Sequence, residues 1–349
     1  MKHHAASFTA LLLLASYSAA GAASDAREKV DVITVLNGDR ITGEIKSLAY
    51  GRLTLETDSI GTVYVEWPDV VRVESPQEFL IEDTRGNLIY GRIDRDPQAG
   101  YLSVAGTGQV VHRVELPQVA RMSQAEDRLL DRVYGSLSLG FDYSKSSDIT
   151  VLSGSFNTSY RGPHSSWSLG VDMNSTHDPA QGTLDRNSVK YNYRWLQPGG
   201  HFWSGLTSLE RNEETGIEAR FLLGGGYGSY FLQTPSNEVA ALVGLVASQE
   251  WATGSATDDQ TSLEGLLGVD WRVFDFASPT TSLTAKLALY PSLTESSRYR
   301  TDASVSLRRE IITDFYIDLS VYQTHDSEPP DATAEKSDYG IITSLGYSF

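Results

Sequence analysis

Two histidines stand beside aspartates in this 349-residue chain, His177-Asp178 and His325-Asp326, and a histidine next to a carboxylate is half of a general acid–base pair. Adjacent residues in a polar loop seldom aim at one reaction centre, and no serine sits in a recognisable lipase motif that would use either histidine. Both pairs are therefore expected to be solvated loop residues, and no enzyme is expected. The run Gly224-Gly225-Gly226 is not followed by Lys-Ser or Lys-Thr and opens no helix, so it does not read as a phosphate loop. Glycine in a strand more plausibly permits curvature or close packing. The acidic stretches "TGSATDDQT" and "DSEPPDATAEKSD" have oxygen ligands without a binding-loop spacing, so surface solvation is expected rather than a metal, and no cofactor is implied.

A second group of charged residues is marked by alternation. Lys190, Asn192 and Arg194 share one side of a run whose other side is Val189, Tyr191, Tyr193 and Trp195. The same inversion collects Arg220, Asp270, Arg272, Lys286, Asp302, Arg308 and Asp318, with Tyr316 or Tyr322. If these face the lumen of a barrel, a ring of one sign would select ions, whereas mixed signs form an internal salt-bridge network. The network is the expectation, with a solute path as the alternative, because a barrel of about twelve strands lies between filled small barrels and open porins.

The elements that must carry these residues begin near Tyr134. From there the sequence repeats runs of about nine to eleven residues with a period of two, the length that crosses a bilayer at a tilt. Apolar sides are Leu137, Leu139, Phe141 and Tyr143; Leu152, Phe156 and Tyr160; Trp167 to Met173; Val189 to Trp195; Trp203 to Leu209; Ile217 to Leu223; and Val239 to Ala247. Five more runs end in "SDYGIITSLGYSF", where Tyr339, Ile341, Thr343, Leu345, Tyr347 and Phe349 alternate with mostly small or polar residues. Connections alternate between short ("RGPHS", "LQPGG", "QTPSN", "FASPT", "ITD") and long ("NSTHDPAQGTLDRN", "WATGSATDDQT", "HDSEPPDATAEKSD"). That asymmetry predicts an all-β transmembrane antiparallel barrel over 134–349, with tight turns on the periplasmic side. Trp167, Trp195, Trp203 and Trp271 all adjoin the short turns, where amphipathic rings anchor at the headgroups of outer-membrane lipid.

The first part of the chain has another grammar. Residues 1–23 combine a basic start, the apolar run Leu11 to Leu14 and small residues before Ala22 and Ala23, which reads as a secretory signal peptide. Residues 24–76 and 77–123 read as an internal repeat of two small β-units resembling SH3-like or Sm-like barrels. "NGDRITGEI" answers "TRGNLIYGRI", with Gly43 and Gly91 offset by 48 and Pro68 and Pro117 by 49. Asn37-Gly38 is a strong hairpin signal. Trp67, alone at the end of an alternating strand, is expected to be a core or inter-unit anchor. Residues 124–133 read as a linker with helical character. The formal charge of −17 argues against a nucleic-acid partner, and the absence of cysteine leaves no disulfide framework.

From "LRREIITDFYIDLSVYQTHDSEPPDATAEKSDYGIITSLGYSF" the C-terminal part resembles the salt-induced outer-membrane protein family, also called domain of unknown function 481. The matching positions are Asp326, Ser327, Pro329 and Pro330, then Lys336 and Asp338, then Tyr347 and Phe349. "RNEETGIEARFLLGGGYGSYFL" is similar to the family's glycine-rich strand at Gly216, Arg220, Gly224, Gly226 and Gly228, with Glu213 and Glu214 where the family has Asp. The resemblance implies an outer-membrane barrel in a Gram-negative envelope, with Tyr347 and Phe349 as the signal read by the barrel assembly machinery. It supplies no catalytic residue. The functional expectation is envelope integrity or small-solute passage. The alternative is a membrane-anchored binding module whose periplasmic units hold a protein or cell-wall partner, and an outer-face hydrolase stands third.

Overall fold

A computed structural model describes residues 29–106, 111–125, 133–144, 149–162, 164–179, 182–213, 216–252, 260–275, 280–329 and 335–348. The segment read as a signal peptide, residues 126–132 of the linker, and Phe349 lie outside the described residues. Gln124, placed in the linker by sequence, is the last residue of a strand.

The repeat is built as one folded body. Strands β1 (Asp31–Val35), β2 (Arg40–Ala49), β3 (Arg52–Glu56) and β4 (Thr62–Glu66) lead through a short 3-10 turn at Trp67–Asp69 into β5 (Val70–Asp83). The second unit follows with β6 (Leu88–Asp94), β7 (Tyr101–Ala105), β8 (Val111–Glu115), a matching turn at Leu116–Gln118 and β9 (Val119–Gln124). β5 serves both units: its first half pairs with β1 and its second half with β9, so the boundary expected at residue 76 falls inside a 14-residue strand. β9 also pairs with β2 at Ser47–Ser123 and Leu48–Met122, closing a small barrel of β2, β1, β5 and β9. Neither unit could bury enough apolar surface alone. Ile33, Ile45, Leu53, Leu55, Phe79, Ile81, Ile93 and Leu102 instead share one core, each contributing about 1.5–3 kcal/mol by burial. Trp67 lies in that core, and its Nε1–H donates to the Leu116 carbonyl at 2.7 Å, tying the two equivalent turns together.

The rest of the chain is a closed antiparallel barrel of 12 strands. In order these are β10 (Val133–Ser144), β11 (Ile149–Arg161), β12 (Ser165–Asp178), β13 (Gly182–Leu196), β14 (His201–Asn212) and β15 (Ile217–Gln233). There follow β16 (Asn237–Ala252), β17 (Gln260–Asp275), β18 (Thr281–Pro291), β19 (Tyr299–Ile312), β20 (Phe315–Asp326) and β21 (Ser337–Ser348). β21 closes on β10, with Leu137 opposite Tyr347 and Leu139 opposite Leu345. Closure satisfies every strand edge, which a hydrocarbon solvent requires.

The strands run to 17 residues, longer than the bilayer demands. The connection expected over "NSTHDPAQGTLDRN" is mostly strand, because β12 continues to Asp178 and β13 starts at Gly182. Leu139, Phe141, Met173, Val243, Leu267, Ile341 and Leu345 are exposed on the outer wall. Ile217 departs from the expected pattern: a bulge between Ile217 and Ala219 turns it inward, where it is buried. Aromatic residues gather at the short-turn end, where Trp195 faces Trp203 in register, Trp203 meets Tyr227 at 5.1 Å and Phe315 meets Tyr347 at 5.1 Å between ring centroids.

Candidate functional site

From β12 to β21 the inward residues are, apart from bulged ends, the even-numbered ones, because successive side chains point to opposite faces and apolar odd positions hold the outer wall. The interior divides into three layers.

At the end remote from the N-terminal domain, buried charges form a lattice. Arg298, in the connection after β18, folds its fully buried side chain into the barrel, 2.7 Å from both the Glu250 and Asp326 carboxylates. Arg220 donates to the same two residues at 2.6 and 3.2 Å. Arg300 holds Glu264 through two hydrogen bonds, one of 2.9 Å, and Arg186 pairs with Asp338 at 2.9 Å. Such pairs are weak evidence for stability but costly to break singly, because the orphaned charge stays in a low dielectric. The space between Glu210, Arg220, Arg300, Asp302 and Asp326 amounts to about 20 Å³, room for a water molecule.

Deeper inside, Leu222, Val246 and Leu266 pack with Leu206, Leu242 and Tyr290 against one wall. The glycines of β15 and β16 make this wall possible: a Cβ on Gly244 would lie 2.3 Å from the Gly225 carbonyl oxygen, so the two backbones approach as closely as they do only without a side chain. Opposite, Asn157, Ser159, Asp172 and Lys190 point inward and are solvent-accessible.

The third layer is shared with the N-terminal domain. Arg194 spans the lumen to Asp270 at 2.6 Å and reaches the Tyr230 hydroxyl at 3.1 Å, with Phe202 beneath its guanidinium at 4.6 Å. Glu82 on β5 and Arg121 on β9 are register partners that enter this mouth. Glu82 accepts from Arg161 at 2.9 Å and from Gln233 at 2.8 Å. Arg121 bonds Glu238, which also faces Arg272 at 3.6 Å. Around them Tyr50 lies tilted against Phe274 with ring centroids 4.3 Å apart, and Gly51 and Gly86 lie against the turns at Pro235 and Gly200. The domain meets the barrel at its short-turn end.

The residues singled out by sequence distribute over these layers. Arg220 and Asp302 lie in the remote layer, Arg194, Asp270 and Arg272 at the domain end, and Arg308 pairs with Asp318 at 3.5 Å on adjacent strands. Lys190 and Lys286 face inward and are exposed to the lumen. Tyr316 and Tyr322 both point inward, each covering a glycine of β21, Gly346 and Gly340. Tyr347 is outward beside Phe315, and its partner in the expected assembly signal, Phe349, is outside the described residues. The histidine pairs do not come together. His177 and His325 lie in strands rather than loops, so each neighbouring aspartate points to the other face; His177 contacts Thr183 at 3.0 Å and His325 contacts Ser337 at 2.8 Å, while Asp326 belongs to the buried lattice. Glu82, Arg121, Arg161, Glu238, Glu250, Glu264, Arg298 and Arg300 were not singled out. Parity would have found the three glutamates of β16 and β17, but leucine on both faces of that stretch obscured it; nothing in the sequence marks Arg298, which lies outside a strand.

A closed 12-stranded barrel with an apolar outer belt and a charged interior is a membrane-spanning β-barrel. The chain belongs to the family described as Protein of unknown function, DUF481, which matches residues 137–349. No curated protein matches the sequence. Among solved structures it is similar to the β domain of the Bordetella autotransporter BrkA (8% identity, 62% of this chain and 98% of that one, TM-score 0.34). The translocator domain of the autotransporter NalP from Neisseria meningitidis (15%, 62% and 87%, 0.36) and the NanC porin (12%, 61% and 98%, 0.36) are also similar.

Proposed function

We propose that this protein is an outer-membrane barrel that serves envelope integrity, kept shut at rest by its own N-terminal domain on the periplasmic side. The observation that supports this most directly is the exchange of charges at the mouth, where Glu82 and Arg121 of the domain engage Arg161 and Glu238 of the barrel. A domain that only tethered a distant partner would have no need to place two charged side chains, each about 15% exposed, inside the barrel rim. The buried lattice around Arg298 narrows the other end under this reading. No catalysis is assigned. The test is conductance of the purified, folded chain in planar bilayers: the full chain is silent at moderate voltage, and steady discrete conductance from it would overturn the reading.

Small-solute passage is the second reading, favoured by the accessible inward face of Asn157, Ser159, Asp172 and Lys190. Under it, opening requires the domain to leave the mouth. A periplasmic protein or cell-wall partner that binds the domain would then act as the trigger.

A further inference from the structure

Every inward arginine described above has a carboxylate within ion-pair distance: Arg161, Arg186, Arg194, Arg220, Arg272, Arg298, Arg300 and Arg308 alike. The two inward lysines of the barrel strands, Lys190 on β13 and Lys286 on β18, have none among the described residues. For Lys286 the omission is pointed. Asp270 is its register partner on β17, yet that carboxylate is taken by Arg194 from across the lumen at 2.6 Å. Lys190 lies two pleats along β13 from that same Arg194, so both lysines flank the Arg194–Asp270 pair.

Two ammonium groups therefore flank one ion pair inside a barrel whose inward arginines are each matched by a carboxylate. Positive charge left without a partner in a confined space attracts a counter-ion. Both are nonetheless solvent-accessible, so open space lies beside them. Ser208 and Ser304 are their register partners on β14 and β19 and provide hydroxyl donors on the inward face. Among acidic residues, Asp172 is diagonal to Lys190 across β12 and β13 but contacts Ser188 instead, at 3.5 Å; Glu210 and Asp302 belong to the layer around Arg220 and Arg300.

We infer that Lys190 and Lys286 form a binding site within the lumen for a small solute carrying a phosphate or carboxylate group. Lysine suits this better than arginine would: a compact, rotatable ammonium holds a tetrahedral or planar anion without a fixed fork geometry. The site does not depend on steady conductance, since a chamber open to small anions at one end and a passage would both display it.

The test is lysine acylation of the folded full chain in detergent, mapped by mass spectrometry, with inorganic phosphate, succinate or a neutral disaccharide present. Phosphate or succinate is expected to slow labelling of Lys190 and Lys286 at least fivefold and to leave Lys29 and Lys46 in the N-terminal domain unaffected; which anion protects better decides between the two chemistries. Protection by the disaccharide equal to that by the anions, or no protection by either anion, overturns the site. Calorimetry with the better anion should lose its binding heat in Lys286→Gln, checked for folding by heat-modifiable gel mobility, and should strengthen in Asp172→Asn. Unchanged binding in Lys190→Gln/Lys286→Gln would equally overturn it.

Discussion

Glu82 and Arg121 face each other across β5 and β9, and each makes a second pair with the barrel, Glu82 with Arg161 at 2.9 Å and Arg121 with Glu238. The domain and the barrel thus meet through two side chains that also pair with each other within the domain, at 3.5 Å. Preorganised charge of this kind fixes orientation more than it adds affinity.

Because the partners are partly buried, Glu82→Gln should weaken docking by about 1–3 kcal/mol, leaving Arg161 with one charged partner fewer. The chain has no native cysteine, so Tyr50→Cys/Phe274→Cys gives a clean report through a short bifunctional maleimide. The crosslink should form readily in the parent and several-fold less in Glu82→Gln/Arg121→Gln. Equal yields would show that these charges do not hold the domain in place.

Trp67 joins the two units by core burial and by its hydrogen bond to Leu116. Trp67→Ala should cost the N-terminal domain about 3–5 kcal/mol, read as faster amide exchange across β1 to β9 with the barrel strands unchanged. Trp67→Phe keeps most of the apolar area and loses the N–H, so its cost should be closer to about 1 kcal/mol.

Two carboxylates of the N-terminal domain titrate in opposite directions. Burial raises Asp31 above its ordinary 3.8, against hydrogen bonds from Ser75 and the Ile45 amide that favour the anion. The folded state then holds this proton to higher pH than the unfolded chain, so its contribution is full below 3.8 and is lost as pH rises through the folded pKa. Asp96 is held below 3.8 by hydrogen bonds from Arg113 and Ser103; its contribution is present above 3.8 and is lost as pH falls through the folded pKa. Amide exchange between about pH 1.5 and 8 should show Asp31→Asn flattening the loss on the alkaline side and Asp96→Asn flattening the loss on the acid side, below 3.8. Exchanged effects would refute these assignments.

Gly244 can be tested separately, because a methyl group there would meet backbone at 2.3 Å rather than a movable side chain. Gly244→Ala should reduce the heat-modifiable, folded fraction in outer-membrane preparations by half or more, while Gly205→Ala, with open space around it, should leave it unchanged.

The barrel was legible in the sequence because its signal is local: a period of two, repeated, with turns between. Strand number and closure followed from that. Which charges meet was not legible. Arg194 and Asp270 are 76 residues apart and pair only because the sheet closes on itself. Arg298 lies in an irregular segment where parity gives no direction. In the N-terminal domain the repeat was plain in the offset from Gly43 to Gly91, but a repeat specifies two similar units and not that β5 would belong to both. Likewise, Glu82 looks like any polar position of an alternating strand, since its partner Arg161 is supplied by the other half of the chain.

The outward direction of the apolar side chains is the assumption on which membrane insertion rests, and Leu267 tests it. It is 49% exposed, lies opposite Leu289 and Val243 on neighbouring strands, and has Leu266 and Gly268 on the inward side of its own strand. In lipid, Leu267→Arg should cost about 2–4 kcal/mol near the bilayer midplane. In water the same change on an exposed strand position would be nearly neutral. Folding into vesicles, followed by heat-modifiable mobility across a urea series, should therefore show a lowered midpoint for Leu267→Arg and none for Leu36→Arg, which changes a still more exposed leucine, 68% accessible, in the N-terminal domain. If both variants fold alike, the outer wall of the barrel does not face acyl chains.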